Sequence, residues 1–361
     1  MALLEYALIG GILYGIFFSL VGIGLNLIFG VMRIINLAHG QFIMLGGFGA
    51  YLLARGLGLN PRARKAPPLA LLEYALIGGI LYGIFFSLVG IGLNLIFGVM
   101  RIINLAHGQF IMLGGFGAYL LARGLGLNPL FGIPLAILGG IVIGYPLYYG
   151  VVPRLQKSQD PEMLSFILFF GIAQMIEAVA VFAFGADQRS LPQDALGSGN
   201  IGVLGQEFPD SWWVACLVSV LAILGLYLYF SRTRLGFATR AIMADRDEAR
   251  ATGIDVDRVS AIALIIGIAL AGIAGVFVPY LIGSVSSSIG DGLTTTSFAI
   301  IIIGSLGNPL GTVVGGLVFG IGTMLMQTYY SSWSNLAPYA LLLAIVLVRP
   351  SGLLGKAVRR A

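Results

Sequence analysis

LEYALIGGILYGIFFSLVGIGLNLIFGV, residues 72–99, carries a single charged side chain, Glu73, and no proline. As a helix it would extend for about 42 Å, and roughly 20 apolar residues are enough to cross the hydrocarbon of a bilayer. The stretch is therefore predicted to be a transmembrane helix, and the remaining sequence follows its pattern. Of 361 residues, 58% are hydrophobic and 10% charged, with a mean hydropathy of +0.98, whereas a soluble domain carries about 25% charged residues. A water-soluble fold is excluded, and the length leaves no room for a sizeable domain outside the membrane.

From Ala70 onward, apolar stretches fall at 72–99, 107–122, 131–150, 163–184, 212–230, 258–282, 295–307, 310–328 and 337–348. The expected fold is an all-α, polytopic transmembrane helical bundle with about eight or nine spans in its core. Several stretches are too short for a full crossing, which predicts re-entrant or broken helices. Placing the 231–257 loop inside puts Arg101, Arg154, Lys157, the arginines from Arg232 to Arg258 and the tail from Arg349 to Arg360 on the same side. Only Arg123 and Arg189 are then outside, in keeping with the positive-inside bias. The acidic loop Gly185–Ser211, with Asp187, Asp194, Glu207 and Asp210, faces the exterior.

Residues 2–61 recur without one difference at 70–129. Structural repeats keep a fold while their side chains drift, so complete identity marks a recent duplication or a misjoined sequence. Residues 1–69 are accordingly read as a duplicated copy of the first two membrane segments with a basic linker, and 70–361 as the working domain. The formal charge of +5 belongs mostly to that copy, through Arg33, Arg55, Arg62, Arg64 and Lys65 against Glu5. Two extra crossings would place Arg55, Arg62, Arg64 and Lys65 outside, against the bias. Met1–Phe29 lacks a basic leader and reads as a membrane segment rather than a cleaved signal. No Lys/Arg cluster interleaved with aromatics suggests nucleic acid.

The two histidines, His39 and His107, are copies of one position, and Cys216 is the only cysteine. An internal disulfide and a Cys-based metal cluster are excluded, no metal-ligand spacing surrounds His107, and the residues call for no cofactor. The three lysines, Lys65, Lys157 and Lys356, belong to no phosphate-binding loop, so the chain has no nucleotide hydrolysis of that type. Chemistry that needs a large soluble fold must come from another chain, so the residues point to no enzyme.

Small residues recur at spacing four: Gly79, Gly83 and Ser87; Gly267, Ala271 and Gly275; Gly311 and Gly315; Gly316 and Gly320. Such stripes let helices approach closely in lipid. Polar residues inside apolar spans mark a pathway or a partner contact: Asn94, Gln174 and Glu177, with Asn104, His107 and Gln109 beside the chain-breaking Gly108. The 231–257 loop balances six arginines, counted through Arg258, against five acids. Good helix formers from Ala238 to Thr252 and a Gly253 suited to a left-handed cap predict a short charged helix, a docking surface for a soluble partner. Gly283–Thr296 reads as a Ser/Thr/Gly loop containing Asp291, and Gly307-Asn308-Pro309 predicts a turn between two half-helices.

INLAHGQFIMLGGFGAYL (103–120), TRLGFATRAIMADRDEARATGIDVDRVSAIALIIGIALAGIAG (233–275), IIIGSLGNPLGTVVGGLVFG (301–320) and VLVRPSGLLG (346–355) resemble the LivH-type permeases of bacterial branched-chain amino acid ABC importers. The likeness runs in order from Ala70 to Gly355, and the first copy has no counterpart in it. It implies a multi-pass protein of the bacterial inner membrane, working with a second permease subunit, two cytoplasmic ATPase subunits and a periplasmic substrate-binding protein. It also implies that Arg240–Gly253 is the coupling helix, with Arg234, Arg240, Asp245, Arg246, Glu248 and Gly253 at the ATPase contact. Asn104–Gln109 is then the signature near the translocation path, which would take in Asn94, Asn104, His107, Gln109 and Glu177. The family often has Gly-Gly where Gly304-Ser305 stands and Gln where Glu177 stands. A permease for urea or a short amide would share these features; an ion-coupled secondary transporter would need a network of intramembrane acids.

Overall fold

The computed structural model describes residues 69–330 and 337–355; the expectations for the first copy and its linker lie outside the described residues. Eleven helices make up almost all of the described fold: α1 Leu69–Met100, α2 His107–Tyr119, α3 Gly132–Leu155, α4 Pro161–Phe184, α5 Asp210–Arg232, α6 Arg234–Ala244, α7 Arg246–Ala251, α8 Val256–Leu281, α9 Ile289–Gly304, α10 Pro309–Tyr329 and α11 Ala337–Val348. Between α4 and α5, one antiparallel hairpin pairs β1 Asn200–Val203 with β2 Gln206–Pro209. All nine expected apolar stretches are helical. Six of them, α1, α3, α4, α5, α8 and α10, are long and apolar enough to cross a membrane. The other three, α2, α9 and α11, are shorter, with thirteen, sixteen and twelve residues.

Helix starts follow local chemistry. Asp160 Oδ1 accepts the Met163 N–H ahead of Pro161, and Asn308 Oδ1 accepts the Gly311 N–H ahead of Pro309. In both cases a short polar side chain satisfies a free helical donor while proline supplies the first-turn φ. Asp255 caps α8 in the same way through the Arg258 N–H.

The stripes of small residues sit where helices cross most closely. On α10, a Cβ added at Gly316 would run into the backbone of Ser87, and one at Gly320 into Gly83 and Gly79. Gly92 meets the Gly267 carbonyl where α1 crosses α8, and Gly114 meets Gly272 where α2 crosses α8. These contacts bury α1 and α8 on nearly every side, whereas α3, α4 and α5 turn broad apolar faces outward, among them Ile141, Val142, Phe170, Val179 and Leu221. Aromatic rings collect at the hairpin end, with Phe208 stacked on Tyr74 at 5.1 Å and Tyr82 edge-on to Trp212 at 4.8 Å, as suits a membrane interface.

Contacts bring the basic loops together. Met243 packs on Gly98, Arg246 donates to Gln156, and Leu353 and Leu354 bond the Ile303 and Gly304 carbonyls. The basic loops and the segment after Arg349 therefore gather at one end of the bundle, the inner end in the orientation argued from charge.

One expectation needs correction. The charged segment is not one helix from Ala238 to Thr252: Asp245 is extended (φ −151°) and separates α6 from α7. Its Oδ1 accepts the N–H groups of Asp247 and Glu248, both at 2.9 Å. Its carboxylate therefore stops one helix and starts the next.

Candidate functional site

His107 lies deep in the bundle. Its Nε2 sits 3.0 Å from the Val89 carbonyl, and Val89 is about 16 Å of helix before the end of α1. Residues 101–106 therefore turn back from the end of α1, through Arg101 at φ 56°, and descend as non-helical backbone before α2 begins. Non-helical backbone at such depth is tolerated only where protein or a water-filled cavity surrounds it. Here Asn104, His107 and Gln109 are all fully buried.

The packing at this start is close. Gly108 N–H donates to Thr294 Oγ1 at 2.9 Å, and Thr294 Oγ1 in turn donates to the Leu105 carbonyl at 3.1 Å. A Cβ at Gly108 would collide with the Gly290 carbonyl oxygen and with Thr294. Asn104 Oδ1 accepts the Ala106 N–H at 3.0 Å. Since a carbonyl can only accept, His107 carries its proton on Nε2. Three polar atoms of this cluster, Asn104 Nδ2, His107 Nδ1 and Gln109 Oε1, have no partner, an unusual concentration for a protein interior.

Gln109 Nε2 reaches outward to Asp291 Oδ1, 3.0 Å away. The Ser/Thr/Gly stretch is thus no loop beyond Ser288: α9 starts at Ile289, and its exposed face carries Ser288, Asp291 and Gly292. Glu177, half-buried on α4, lies within electrostatic reach of Asp291. Gln174 is exposed on the same helix, one turn before it. The structure therefore brings Gln109 and Glu177 toward Asp291, a residue that sequence reasoning left in a loop, while His107 is buried against α1 two residues before Gln109.

Asn94 belongs to a different place. It is fully buried, and Nδ2 donates to the carbonyls of Asn308 (2.9 Å) and Ser305 (3.3 Å) and to Thr312 Oγ1, while Oδ1 accepts the Gly307 N–H at 2.6 Å. Every polar position of the amide is committed to the turn between α9 and α10, where Ser305 has φ 142° and Gly307 φ 73°.

At the inner end, α6 and α7 present a second surface. Arg234, Phe237, Arg240, Asp245, Glu248 and Arg250 are exposed. The Arg240 guanidinium lies 4.9 Å from the Phe237 ring centroid, holding an apolar ring and a cation together. Arg246 is turned inward to Gln156 Oε1 at 2.8 Å, and Gly253, at φ 86°, caps α7 as its position predicts. Thr233 caps α6 through the Gly236 N–H, and Tyr229 OH bonds Thr239 Oγ1 at 2.7 Å. The pair is thus fixed to the end of α5. Phe237 was missed from sequence because an aromatic in a charged loop carries no spacing signal.

A helical bundle with six helices long and apolar enough to cross a membrane, buried polar groups in its interior and a charged helix pair at one end is the architecture of a polytopic membrane protein. The chain belongs to the family described as "Branched-chain amino acid transport system / permease component", whose model matches residues 75–346 and, separately, residues 7–89. Among curated relatives, the high-affinity branched-chain amino acid transport system permease protein LivH of Escherichia coli (strain K12) is 27% identical over 289 residues, covering 77% of this chain and 94% of the relative. The probable branched-chain amino acid transport permease protein LivH of Methanocaldococcus jannaschii is 26% identical over 292 residues, covering 77% and 91%. The LivM permease protein of the E. coli system is 24% identical over 293 residues, covering 74% and 67%. No solved structure matches the chain at a significant level.

Proposed function

We propose that this chain is an inner-membrane permease subunit of an ABC importer that moves branched-chain amino acids into the cytoplasm. The observation that carries the reading is the ordered family match over 75–346 together with an exposed, sign-balanced helix pair at the basic end. The relatives include both LivH and LivM permeases, which supports a partnership with a second permease subunit. Two cytoplasmic ATPase subunits dock on α6 and α7, and a periplasmic binding protein delivers substrate to the opposite end.

In this reading the path runs beside the start of α2 and the exposed face of α9. Closure of the ATPases displaces α6 and α7. Because Thr233 and Thr239 tie α6 to Tyr229 of α5, the displacement becomes a rigid-body rotation of spans that switches access between faces. Asn104, His107, Gln109 and Glu177 are the pathway residues, and Asn94 holds a turn against which they move. Residues 70–361 are the working permease, so a chain starting at Leu69 imports with its partners.

The test is leucine uptake into proteoliposomes containing this chain and its partner subunits. Uptake is expected to need ATP and the ATPases and to persist when the proton gradient is collapsed. Gradient-dependent uptake without the ATPases would overturn the reading in favour of a secondary transporter. Competition by urea or acetamide, with none by isoleucine or valine, would reassign the substrate.

A further inference from the structure

Asp291 occupies an unusual position. It lies in the first turn of α9, where a negative charge is favoured by the helix dipole. Gln109 Nε2 positions its Oδ1, and Gln109 stands two residues past His107, deep in the bundle. A carboxylate at this depth cannot face lipid without a cost of roughly 2.5–3.5 kcal/mol or more. Glu177 adds a second negative group nearby. Among the described residues no Lys or Arg lies within the interior of any span to neutralise them. Arg189, toward the outer end, donates to the Phe184 carbonyl at 3.0 Å and lies over the Tyr119 ring.

A further observation shows what kind of cation fits. Gln109 is fully buried, yet its Oε1 has no donor; the amide sits in the notch left by the missing Cβ of Gly290. An ammonium group carries three N–H donors. The second oxygen of Asp291 and the carboxylate of Glu177 accept no hydrogen bond among the described residues, so two carboxylate acceptors are open on the exposed side of the buried Gln109 amide. A metal ion fits less well, since the described residues bring no three His, Cys, Asp or Glu groups together here.

We propose that Asp291, positioned by Gln109 and assisted by Glu177, receives the α-ammonium group of the amino acid as it passes through the membrane, making this point selective for cationic amines. The inference rests on the amino acid reading above. It makes Asp291 a binding residue and Gln109 a positioning one.

The experiment uses the complete importer with Cys216→Ser and Gly292→Cys, position 292 being exposed beside Asp291 with open space around it. The rate of maleimide labelling at 292 is measured with three probes that share a branched chain: leucine, 3-methylbutylamine, which lacks the carboxylate, and 4-methylpentanoate, which lacks the ammonium. Leucine and the amine are expected to slow labelling about tenfold, equivalent to 1.4 kcal/mol of binding, and the acid to leave it unchanged. Asp291→Asn abolishes this protection and Asp291→Glu retains most of it. Equal protection by the acid, or protection that survives Asp291→Asn, overturns the proposal. So does loss of co-purifying second permease in Asp291→Asn, which would make the carboxylate a subunit contact. Failure of the unsubstituted importer to move leucine would instead fail the functional reading, a separate measurement.

Discussion

Replacing Asn94 with alanine should destabilise the bundle without altering the path. The side chain donates to Asn308, Ser305 and Thr312 and accepts from Gly307. Asn308 and Ser305 carbonyls keep backbone partners of their own, Thr312 and Asn308, so the main loss falls on the Gly307 N–H. One stranded donor at about 1–3 kcal/mol, with roughly 1 kcal/mol for the remaining bonds, gives about 3 kcal/mol. That corresponds to a shift of roughly 150-fold in the folding equilibrium. Steric trapping of the biotinylated protein in bicelles reads this quantity directly, and leucine uptake per folded complex reads function. The expected result is the stability loss with uptake per complex close to that of the parent. Unchanged stability with lost uptake would refute the reasoning and return Asn94 to the pathway.

Ser305→Gly is expected to stabilise by about 1–3 kcal/mol, because φ 142° suits glycine and strains a residue with a Cβ; a thermal shift assay on the purified complex checks it. Gly108→Ala drives a Cβ into the Gly290 carbonyl and should cost about 1–3 kcal/mol or more, lowering yield and uptake together. Gly124→Ala, with nothing near its Cβ, is the matched control expected to behave as the parent. Asp245→Ala should fray α7 by about 1 kcal/mol and weaken coupling of ATP hydrolysis to uptake, while Asp245→Asn, an equally good cap, preserves it. If Asn fails as badly as Ala, the charge rather than the cap matters. Phe237→Ala should uncouple hydrolysis from uptake with α6 and α7 intact by hydrogen exchange; unchanged coupling would remove Phe237 from the ATPase contact.

Much of the fold was legible because the membrane simplifies the code. Uninterrupted apolar runs gave every long helix, and the glycine stripes at 79, 83, 316 and 320 meet one another as their spacing implied. Pro309 after Asn308 marked both a turn and a start. What stayed hidden has a shared cause, the use of polar side chains to satisfy backbone. Gly283–Thr296 resembles a loop by composition, yet Thr295 and Ser297 bond the carbonyls four residues earlier at 2.9 and 2.8 Å, so their hydroxyls do not oppose a helix. That disguised the start of α9 and hence the depth of Asp291. In Ala238–Thr252, helix propensity favours continuity, and the break at Asp245 depends on a cap geometry that propensity does not encode. Asn94 looked like a path residue because an amide in an apolar run signals either function or structure, and only its four bonds tell which.

The closure of α2 onto α9 has a consequence for biogenesis. The Gly108 N–H finds its partner, Thr294, 186 residues further along, which at 5–20 residues per second is synthesised roughly 10–40 s later. Until then the start of α2 waits beside α1 with its donors open.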